Sequence, residues 1–317
     1  MIIAENLKKE FKFYVRDDKR KNKLRRSVVH KVALDSVSLN INKGEIVGIA
    51  GSNGAGKTTL LKIMAGILKP TNGKIEVNGI DPFGATDSFK KNISIILGQK
   101  SQLWWDLPAK DSINLNRVIY DVPQKTFQYI YNELLDVLSL RDLQDVPVRR
   151  LSLGERMKFE IIAGIIHNPK IVFLDEPTIG LDLISQNNIR DFLKFYNKQF
   201  GATILLTSHY MQDIYEVCDR LVLLQSGKKI YDDKISSLMD TTNKKVILKL
   251  ADKENENKFL QENDNVVYND LNHEICFWIE RNHEKKIIDN IIQHYKYEDI
   301  SIQNASIEEI IRKKIEK

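Results

Sequence analysis

Residues 51–58 combine glycines, a lysine and a threonine at a spacing that can hold a phosphate chain. Their sequence, GSNGAGKT, fits the pattern G-x-x-x-x-G-K-[ST]. The glycines let the backbone approach phosphate with its N–H groups pointing inward, and a helix beginning here adds partial positive charge. Lys57 can reach the β- and γ-phosphates of a nucleotide, and the Thr58 hydroxyl can bind Mg²⁺. The apolar run before the loop and the helical pattern after it argue against a glycine-rich turn without a ligand.

Two neighbouring acids, Asp175 and Glu176, follow the apolar run 171–174. A buried strand would deliver them to the C-terminal edge of its sheet, where open α/β sheets bind ligands. There Asp175 can hold Mg²⁺, directly or through water, and Glu176 can polarise an attacking water. The alternative is that two exposed acids cap the end of a strand, but the phosphate loop favours the catalytic interpretation.

Alternating strand-like and helix-like segments must position these residues. Short apolar, β-rich runs predict strands at 32–41, 45–50, 93–97, 171–174, 203–207 and 221–224. A helix is predicted at 58–68, and a helix-rich stretch covers about 111–166. This alternation predicts an α/β domain with a mainly parallel sheet.

The last quarter of the chain indicates a separate, smaller domain. The polar run 240–257 predicts a linker with a short strand inside it, so the boundary falls near 239–243. Beyond it we predict strands at 246–250, 266–268, 274–279 and 299–302, a helix at 285–295, and a final helix opening at the capping box Ser306/Glu309. We therefore expect a main domain at 1–240, with a helical subdomain at about 100–166, and a small α+β domain at 241–317.

The overall composition excludes several classes of protein. Of 317 residues, 42% are apolar and 29% charged, a globular balance. Apolar runs fall short of the roughly 18–20 residues of a membrane span, and the N-terminus is too charged for a signal peptide, so we expect a soluble chain. Only two cysteines, Cys218 and Cys276, suit a reducing compartment. Residues 8–31 carry a net charge of +8 and the rest −3, which argues against a uniformly basic nucleic-acid-binding surface.

Four further motifs resemble those of the nucleotide-binding subunits of ATP-binding-cassette (ABC) transporters. Residues 151–155, LSLGE, resemble the family signature LSGGQ and end twenty residues before the acid pair. Gln99 matches the glutamine of the Q-loop, residues 180–182 match the D-loop, and His209 matches the switch histidine. The resemblance continues to about residue 238, and it implies a P-loop NTPase cassette.

The resemblance implies an ATPase that works as a head-to-tail dimer of two copies. ATP would lie between Lys57 of one copy and Ser152 and Gly154 of the other, and closure would complete the site. The implied ATP-binding residues are Phe11, Gly51, Asn53, Gly54, Ala55, Gly56, Lys57, Thr58, Thr59, Ser152, Gly154 and Asp182.

The family's catalytic roles carry over by position. Glu176 would be the general base, and His209 would contact the γ-phosphate and orient the water. Gln99 would sense Mg²⁺ and report to the membrane partner. The implied ligands of Mg²⁺ are Thr58, Gln99 and Asp175.

Several aromatic side chains have two interpretations. An aromatic residue near the N-terminus usually stacks on adenine in this family, and Phe11 is the candidate, with Phe13 and Tyr14 close enough to compete. Trp104 and Trp105 follow the Q-loop, in the region that receives the membrane partner. Contact with that partner and packing into the helical subdomain are equal alternatives for them.

The signature departs from the family at two positions. Leu153 replaces the first glycine, and Glu155 replaces the glutamine, which adds negative charge near a polyanion and should weaken closure. Ser152 and Gly154 are kept. The segment is similar to that of a branch of presumed exporters, as is 99–105, so we expect export.

We therefore expect an energy-coupling ATPase at the cytoplasmic face of the cell membrane, driving separate polytopic permease subunits. One alternative is a non-transport ABC ATPase acting on ribosomes or nucleic acid, which only the basic segment 8–31 supports; nucleic acid is not expected as a partner. Another is an ATP-clamped module with weak hydrolysis, suggested by the altered signature.

Segment 8–31 could attract anionic lipid or an anionic partner, but a solvated hairpin or loop is favoured.

Overall fold

The computed structural model describes residues 1–16, 26–84, 86–98, 100–208, 210–239, 243–263, 266–269, 273–280, 283–304 and 309. They form two compact units, Met1–Ile235 and Ser236–Lys317. The first unit ends five residues before the end of the predicted main domain, 1–240.

The first unit is built from strands and helices that alternate along most of its length. Its strands are β1 (Ile2–Arg16), β2 (Arg26–Ile41), β3 (Ile46–Ala50), β4 (Asn72–Val77), β5 (Ile93–Leu97), β6 (Ile171–Asp175), β7 (Thr203–Thr207), β8 (Arg220–Gln225) and β9 (Lys228–Lys234). Its helices are α1 (Lys57–Met64), α2 (Asp87–Asn92), α3 (Ala109–Ile119), α4 (Gln124–Val137), α5 (Leu153–Ile165), α6 (Leu183–Phe200) and α7 (Met211–Val217); α8 (Ile235–Met239) follows at the unit boundary.

The central sheet has the strand order β5-β6-β7-β3-β8-β9. Strand β9 pairs antiparallel with β8, and the other pairs are parallel. Strands β3 and β7 are buried at every residue, as expected for parallel strands whose two faces are both covered. Because β6, β7 and β3 are neighbours, their carboxyl ends lie side by side. This edge therefore brings together the phosphate loop, the acid pair and the end of β7.

A second, antiparallel sheet has the order β2-β1-β4. The sequence pattern predicts only residues 32–41 of it, yet β1 pairs with β2 from Ile2↔Ile41 to Arg16↔Arg26. Strand β1 alternates lysines and glutamates with apolar residues over part of its length, which hides it from a search for apolar runs. Within the basic segment 8–31, residues 8–16 belong to β1 and residues 26–31 to β2, and these two stretches pair antiparallel. Residues 17–25 lie outside the described residues.

Helices α3, α4 and α5 occupy the stretch that the sequence predicts to be helix-rich. Helix α5 is the most buried of them, with Phe159, Ile161 and Ile162 fully enclosed. It lies so close to β5 that a Cβ added to Gly164 would come within 2.7 Å of the Ile96 side chain. The C-terminal part of α5 therefore packs directly on the edge strand of the central sheet.

The second unit contains a four-stranded antiparallel sheet. Its elements are β10 (Asn243–Leu250), α9 (Lys253–Glu262), β11 (Val266–Asn269), β12 (Glu274–Glu280), α10 (Glu284–His294) and β13 (Tyr297–Asn304). The strand order β11-β12-β10-β13 and the succession βαββαβ are those of a ferredoxin-like arrangement. Its core joins side chains from the sheet and from both helices, including Leu248, Phe259, Phe277 and Ile291.

The strand predicted inside the run 240–257 is present as part of β10, but the rest of the described run is not the linker that the sequence predicted. Residues 243–250 form β10, which pairs with β12 and β13, and α9 begins shortly after it. Asp252 caps α9 by accepting a hydrogen bond from the backbone N–H of Asn255 over 2.9 Å. The charged residues that suggested a linker belong to β10 and α9; most of those on α9 are exposed, but Glu256 is buried. The predicted final helix falls outside the described residues, apart from Glu309.

Candidate active site

The phosphate loop connects β3 to α1 through backbone conformations that only glycine adopts easily. Gly51 has φ +152° and Gly56, the N-cap of α1, has φ +108°. A Cβ at Gly51 would lie 2.3 Å from the carbonyl oxygen of Leu224, and one at Gly56 would lie 2.5 Å from that of Ala33. Both glycines are therefore required by close backbone approach as well as by φ.

Lys57 is buried in this loop. Its ammonium donates a hydrogen bond to the carbonyl oxygen of Gly51 over 2.8 Å and lies 3.7 Å from Oε1 of Glu176. The positive charge thus sits between the loop and the acid pair, where a transferred phosphoryl group would need it.

The two acids are tied to neighbouring elements by hydroxyl groups. Thr58 donates to Asp175 over 2.8 Å, and Thr207 donates to the same carboxylate over 2.7 Å. The Thr207 hydroxyl also accepts the backbone N–H of Glu176 over 3.0 Å. Glu176 itself has φ +54°, an uncommon backbone conformation for a residue with a side chain. The pair is thus held in one arrangement by β7 as well as by its own strand.

The oxygen atoms of Thr58 and Asp175 fit a magnesium site. Mg²⁺ prefers hard oxygen ligands, takes one or two from the protein and completes its octahedron with water and phosphate oxygens. A hydroxyl and a carboxylate lie within hydrogen-bond distance of each other at the wall of an open cleft. The residues present are therefore sufficient to hold Mg²⁺ beside a nucleotide.

A cleft of about 840 Å³ opens over these groups. Phe11, Phe13 and the acid pair all line it, whereas Tyr14 is 68% exposed and is not among its lining residues. Its described lining residues are Phe11, Phe13, Lys31, Ala33, Asn53, Gly54, Ala55, Gly56, Lys57, Thr58, Thr59, Lys62, Leu97, Lys100, Asp175, Glu176 and Ile179. The phosphate-loop residues 53–59, the candidate adenine-stacking residue Phe11 and the acid pair thus line one cavity.

The signature segment lies apart from this cleft. Ser152 is the N-cap of α5, and Gly154 lies so close to α6 that an added Cβ would be 2.2 Å from the Ser185 hydroxyl. Asp182 caps α6, and the hydrogen bonds from Ser185 lower the pKa of its carboxyl group. Among the cleft's described lining residues there is no member of the signature, nor Asp182.

Glu155, which replaces the glutamine of the family signature, forms hydrogen bonds with Ser152 at the start of α5. Its carboxylate accepts hydrogen bonds from both the backbone N–H and the hydroxyl of Ser152, each over 2.8 Å, while the Ser152 hydroxyl accepts from the N–H of Glu155. This is a complete capping box. The substitution in the signature therefore stabilises the start of α5 and also engages the hydroxyl proton of Ser152.

Gln99 and His209 lie outside the described residues, but Gly98, which precedes Gln99, contacts the acid pair. The backbone N–H of Gly98 donates to the carbonyl oxygen of Asp175 over 2.9 Å, and a Cβ on Gly98 would lie 2.5 Å from the carbonyl oxygen of Glu176. Ser208, which precedes His209, is fully buried.

Trp104 and Trp105 are 56% and 53% exposed, so the core-packing alternative is wrong for both. The guanidinium of Arg156 lies 5.4 Å from the ring centre of Trp105. Contact with a membrane partner stays a prediction.

Sequence reasoning missed three residues that support the site. Thr207 ends β7 beside the acid pair, Glu160 accepts the backbone N–H of Gln102 over 2.9 Å, and Asp213 accepts the hydroxyl of Ser208 over 2.6 Å. Thr207 could have been found, because neighbouring parallel strands end at the same edge. The other two lie on helices and have no motif.

A phosphate loop after one buried parallel strand, with an acid pair at the end of a second strand of the same sheet, defines a P-loop NTPase. A family model described as "ABC transporter" matches residues 34–179. The chain is 35% identical over 209 residues to the ABC transporter ATP-binding protein NatA of Bacillus subtilis, covering 66% of this chain and 85% of NatA. It is 33% identical to the methionine import ATP-binding protein MetN of Geobacillus kaustophilus, covering 64% and 60%. The chain therefore belongs to the ABC transporter ATP-binding proteins.

Solved structures share the fold of this cassette. The dimeric post-hydrolysis structure of the ATP-binding cassette MJ0796 with ADP and Pi has a TM-score of 0.63 and 24% identity, covering 74% of this chain and 99% of that one. CbiO1 from Clostridium perfringens, part of the complex cbiONQ, has a TM-score of 0.62 and 23% identity, covering 75% and 90%.

As a member of this family, the chain binds ATP with Mg²⁺ and hydrolyses it. Within the described residues, no helix has the length and apolar character to cross a bilayer.

Proposed function

We propose that the chain is the energy-coupling ATPase of an ABC exporter and acts as a head-to-tail dimer. The observation that carries the dimer is the separation of Ser152 and Gly154 from the cleft that contains Lys57. A signature segment in another copy can complete that cleft, whereas the segment of the same chain is held against its own α6. The fold shared with a cassette solved as a dimer supports this arrangement.

The cleft geometry supports a role for each group around ATP. Phe11 stacks on the adenine, and Lys57 and the loop N–H groups bind the phosphates. Thr58 and Asp175 hold Mg²⁺, which neutralises charge on the β- and γ-phosphates. Gln99 is assigned to the same ion on the family resemblance.

In this proposal Glu176, which lines the cleft, takes the proton of the attacking water. Its uncommon backbone conformation, fixed by Thr207, aims the side chain into the cleft. We assign the orientation of the water and contact with the γ-phosphate to His209, on the family resemblance.

A separate polytopic permease is the proposed membrane partner, which places the cassette at the cytoplasmic face. NatA is a transporter ATP-binding protein, and CbiO1 belongs to a transporter complex. Trp104 and Trp105 are exposed and adjacent in sequence to the Q-loop, so they are the proposed contact with the permease. The similar relatives include a methionine importer. The proposal of export rests on segments 99–105 and 151–155.

ATP turnover by the full chain tests the catalytic assignment. Glu176→Gln should lower kcat by about 10²–10⁴ while the protein still dimerises with ATP on size exclusion. Glu76→Gln, an exposed residue of β4, is the matched control and should behave like the wild type. A Glu176→Gln protein with wild-type turnover would refute the role of the general base. A wild type that hydrolyses ATP as a monomer would refute the dimer.

Native extraction and vesicle transport test the partnership and the direction. The chain should co-purify with a polytopic membrane protein; its absence from every such complex would contradict the transporter proposal. In vesicles with the cassette on the outside, ATP should drive the cargo of that complex into the lumen. ATP-driven loss of cargo from the lumen would indicate import instead.

A further inference from the structure

A buried ion pair lies outside the cleft, between helices α6 and α7. Arg190 is 2% exposed and Asp213 is fully buried. Nε and Nη2 of Arg190 each lie 2.7 Å from Oδ1 of Asp213. Burying two charges costs free energy that the attraction between them does not always recover. The pair is therefore weak evidence for stability alone, and its surroundings point to another use.

The second carboxylate oxygen of Asp213 joins two loops. Oδ2 accepts the hydroxyl of Thr178 and, over 2.6 Å, the hydroxyl of Ser208. Thr178 is two residues after Glu176 in the chain, and Ser208 is the residue before His209. The side chains of Asp213, Thr178 and Ser208, like that of Arg190, are almost fully buried, which strengthens these hydrogen bonds.

We propose that Asp213 is a positioning residue for ATP hydrolysis, which holds the segment after Glu176 and the segment before His209 at one fixed relative position. Arg190 orients the carboxylate, so that Oδ2 faces the two hydroxyl groups. The inference rests on the proposed roles of Glu176 and His209.

The same cluster reaches the proposed dimer surface. Helix α6 carries Arg190, and its N-cap is Asp182, only four residues after Thr178. Movement of the segment 178–182 on dimer closure is thereby transmitted through Asp213 to Ser208. This gives a contact route by which closure can set the geometry for hydrolysis.

Removing either hydroxyl tests this without leaving a buried charge unpaired. Thr178→Val and Ser208→Ala, each assayed in the full chain with Mg²⁺ and ATP, should lower kcat roughly tenfold, since a hydrogen bond to a charged group is of that size. KM for ATP should change less than twofold, because the cleft is untouched. Thr178→Ser, which restores the hydroxyl, should restore kcat.

The double variant distinguishes a shared support from two local effects. If Asp213 couples the two loops, the double variant Thr178→Val/Ser208→Ala should have a kcat only slightly lower than that of either single variant. The matched control is Thr203→Val: Thr203 is buried at the opposite end of β7, and its hydroxyl accepts the N–H of Gly44 over 2.9 Å. It should lower the melting temperature but leave kcat unchanged.

Two results would overturn the inference. One is an unchanged kcat in both folded single variants, and the other is a fold-loss of kcat in the double variant equal to the product of the two single fold-losses. Glu176→Gln assayed alongside separates this from the proposed function. If Glu176→Gln is inactive while Thr178→Val and Ser208→Ala turn over normally, only the role of Asp213 is refuted. If Glu176→Gln remains active, the proposed catalytic assignment itself is refuted.

Discussion

The hydroxyl of Thr207 donates a hydrogen bond to the carboxylate of Asp175 over 2.7 Å, across the neighbouring ends of β7 and β6. The same oxygen accepts the backbone N–H of Glu176. One side chain on an adjacent strand therefore orients both the proposed magnesium ligand and the proposed base. Precise placement of such groups is a large part of catalysis in phosphoryl transfer.

Thr207→Val should lower kcat roughly tenfold, because it removes a hydrogen bond to a charged group at nearly constant volume. It should also raise the Mg²⁺ concentration needed for half-maximal turnover. Steady-state hydrolysis at graded Mg²⁺ measures both. Thr207→Ser keeps the hydroxyl and should recover both values; a Val variant that equals the wild type in both would contradict the role.

Glu155→Gln should strengthen ATP-driven dimerisation. The amide keeps the capping box, because glutamine is also suitable at this position, and it removes a negative charge next to Ser152. Size exclusion at graded ATP, in a Glu176→Gln background that blocks turnover, gives the ATP concentration at half-dimerisation. Glu155→Ala is the control for the cap and should cost about 1 kcal/mol of stability. Weaker dimerisation of the Gln variant would contradict the expectation.

Gly154→Ala should destabilise the protein by about 1–3 kcal/mol, although alanine normally favours a helix. The new Cβ would lie 2.2 Å from the Ser185 hydroxyl, so the start of α5 must move away from α6. Chemical denaturation measures the free energy of unfolding. Gly84→Ala is the matched control, since nothing lies within 4 Å of its Cβ position. Equal stability of the two variants would show that α5 can move freely.

Phe11→Ala should raise the dissociation constant for ATP roughly tenfold or more, because stacking of a base on an aromatic ring is worth about 1–3 kcal/mol. Tyr14→Ala should leave it unchanged, since Tyr14 is exposed and outside the cleft. Titration with a fluorescent ATP analogue measures both. If Phe13→Ala has the larger effect instead, the adenine stacks on Phe13.

The buried carboxyl of Glu160 should make stability depend on pH. Burial raises its pKa, and hydrogen bonds from Ser101 and the N–H of Gln102 oppose this only in part. The contribution of the protonated Glu160 carboxyl to the free energy of unfolding is fully present below the unfolded-state pKa of about 4.3. This contribution is lost as the pH rises through the higher pKa of the folded state. Glu160→Gln should therefore gain stability relative to the wild type across that window.

Unfolding free energies in urea at steps from pH 4 to 8 measure this difference. It should grow with pH and then level off. Glu76→Gln, which changes an exposed carboxyl, should show a constant difference. A constant difference for Glu160→Gln as well would contradict the expectation.

Mostly buried strands of the central sheet were the easiest to predict. Strands Ile93–Leu97 and Thr203–Thr207 have the predicted ends, because the strands of a parallel sheet covered by helices form short, largely apolar runs. Strand β1 and helix α9 are half-exposed and rich in charge, so their apolar residues are too few to predict them. Their stability comes from partners distant in the chain.

The sequence by itself determined the chemistry of residues 51–58 and 175–176, because a loop that holds phosphate and a strand that delivers acids are local properties. Only the tertiary structure decided which groups support them. Thr207 meets Asp175, and Asp213 meets Thr178, across 32 and 35 residues of chain. Those contacts exist because β6 and β7 pair in parallel and because α7 packs against α6. No local pattern of residue types encodes such a meeting.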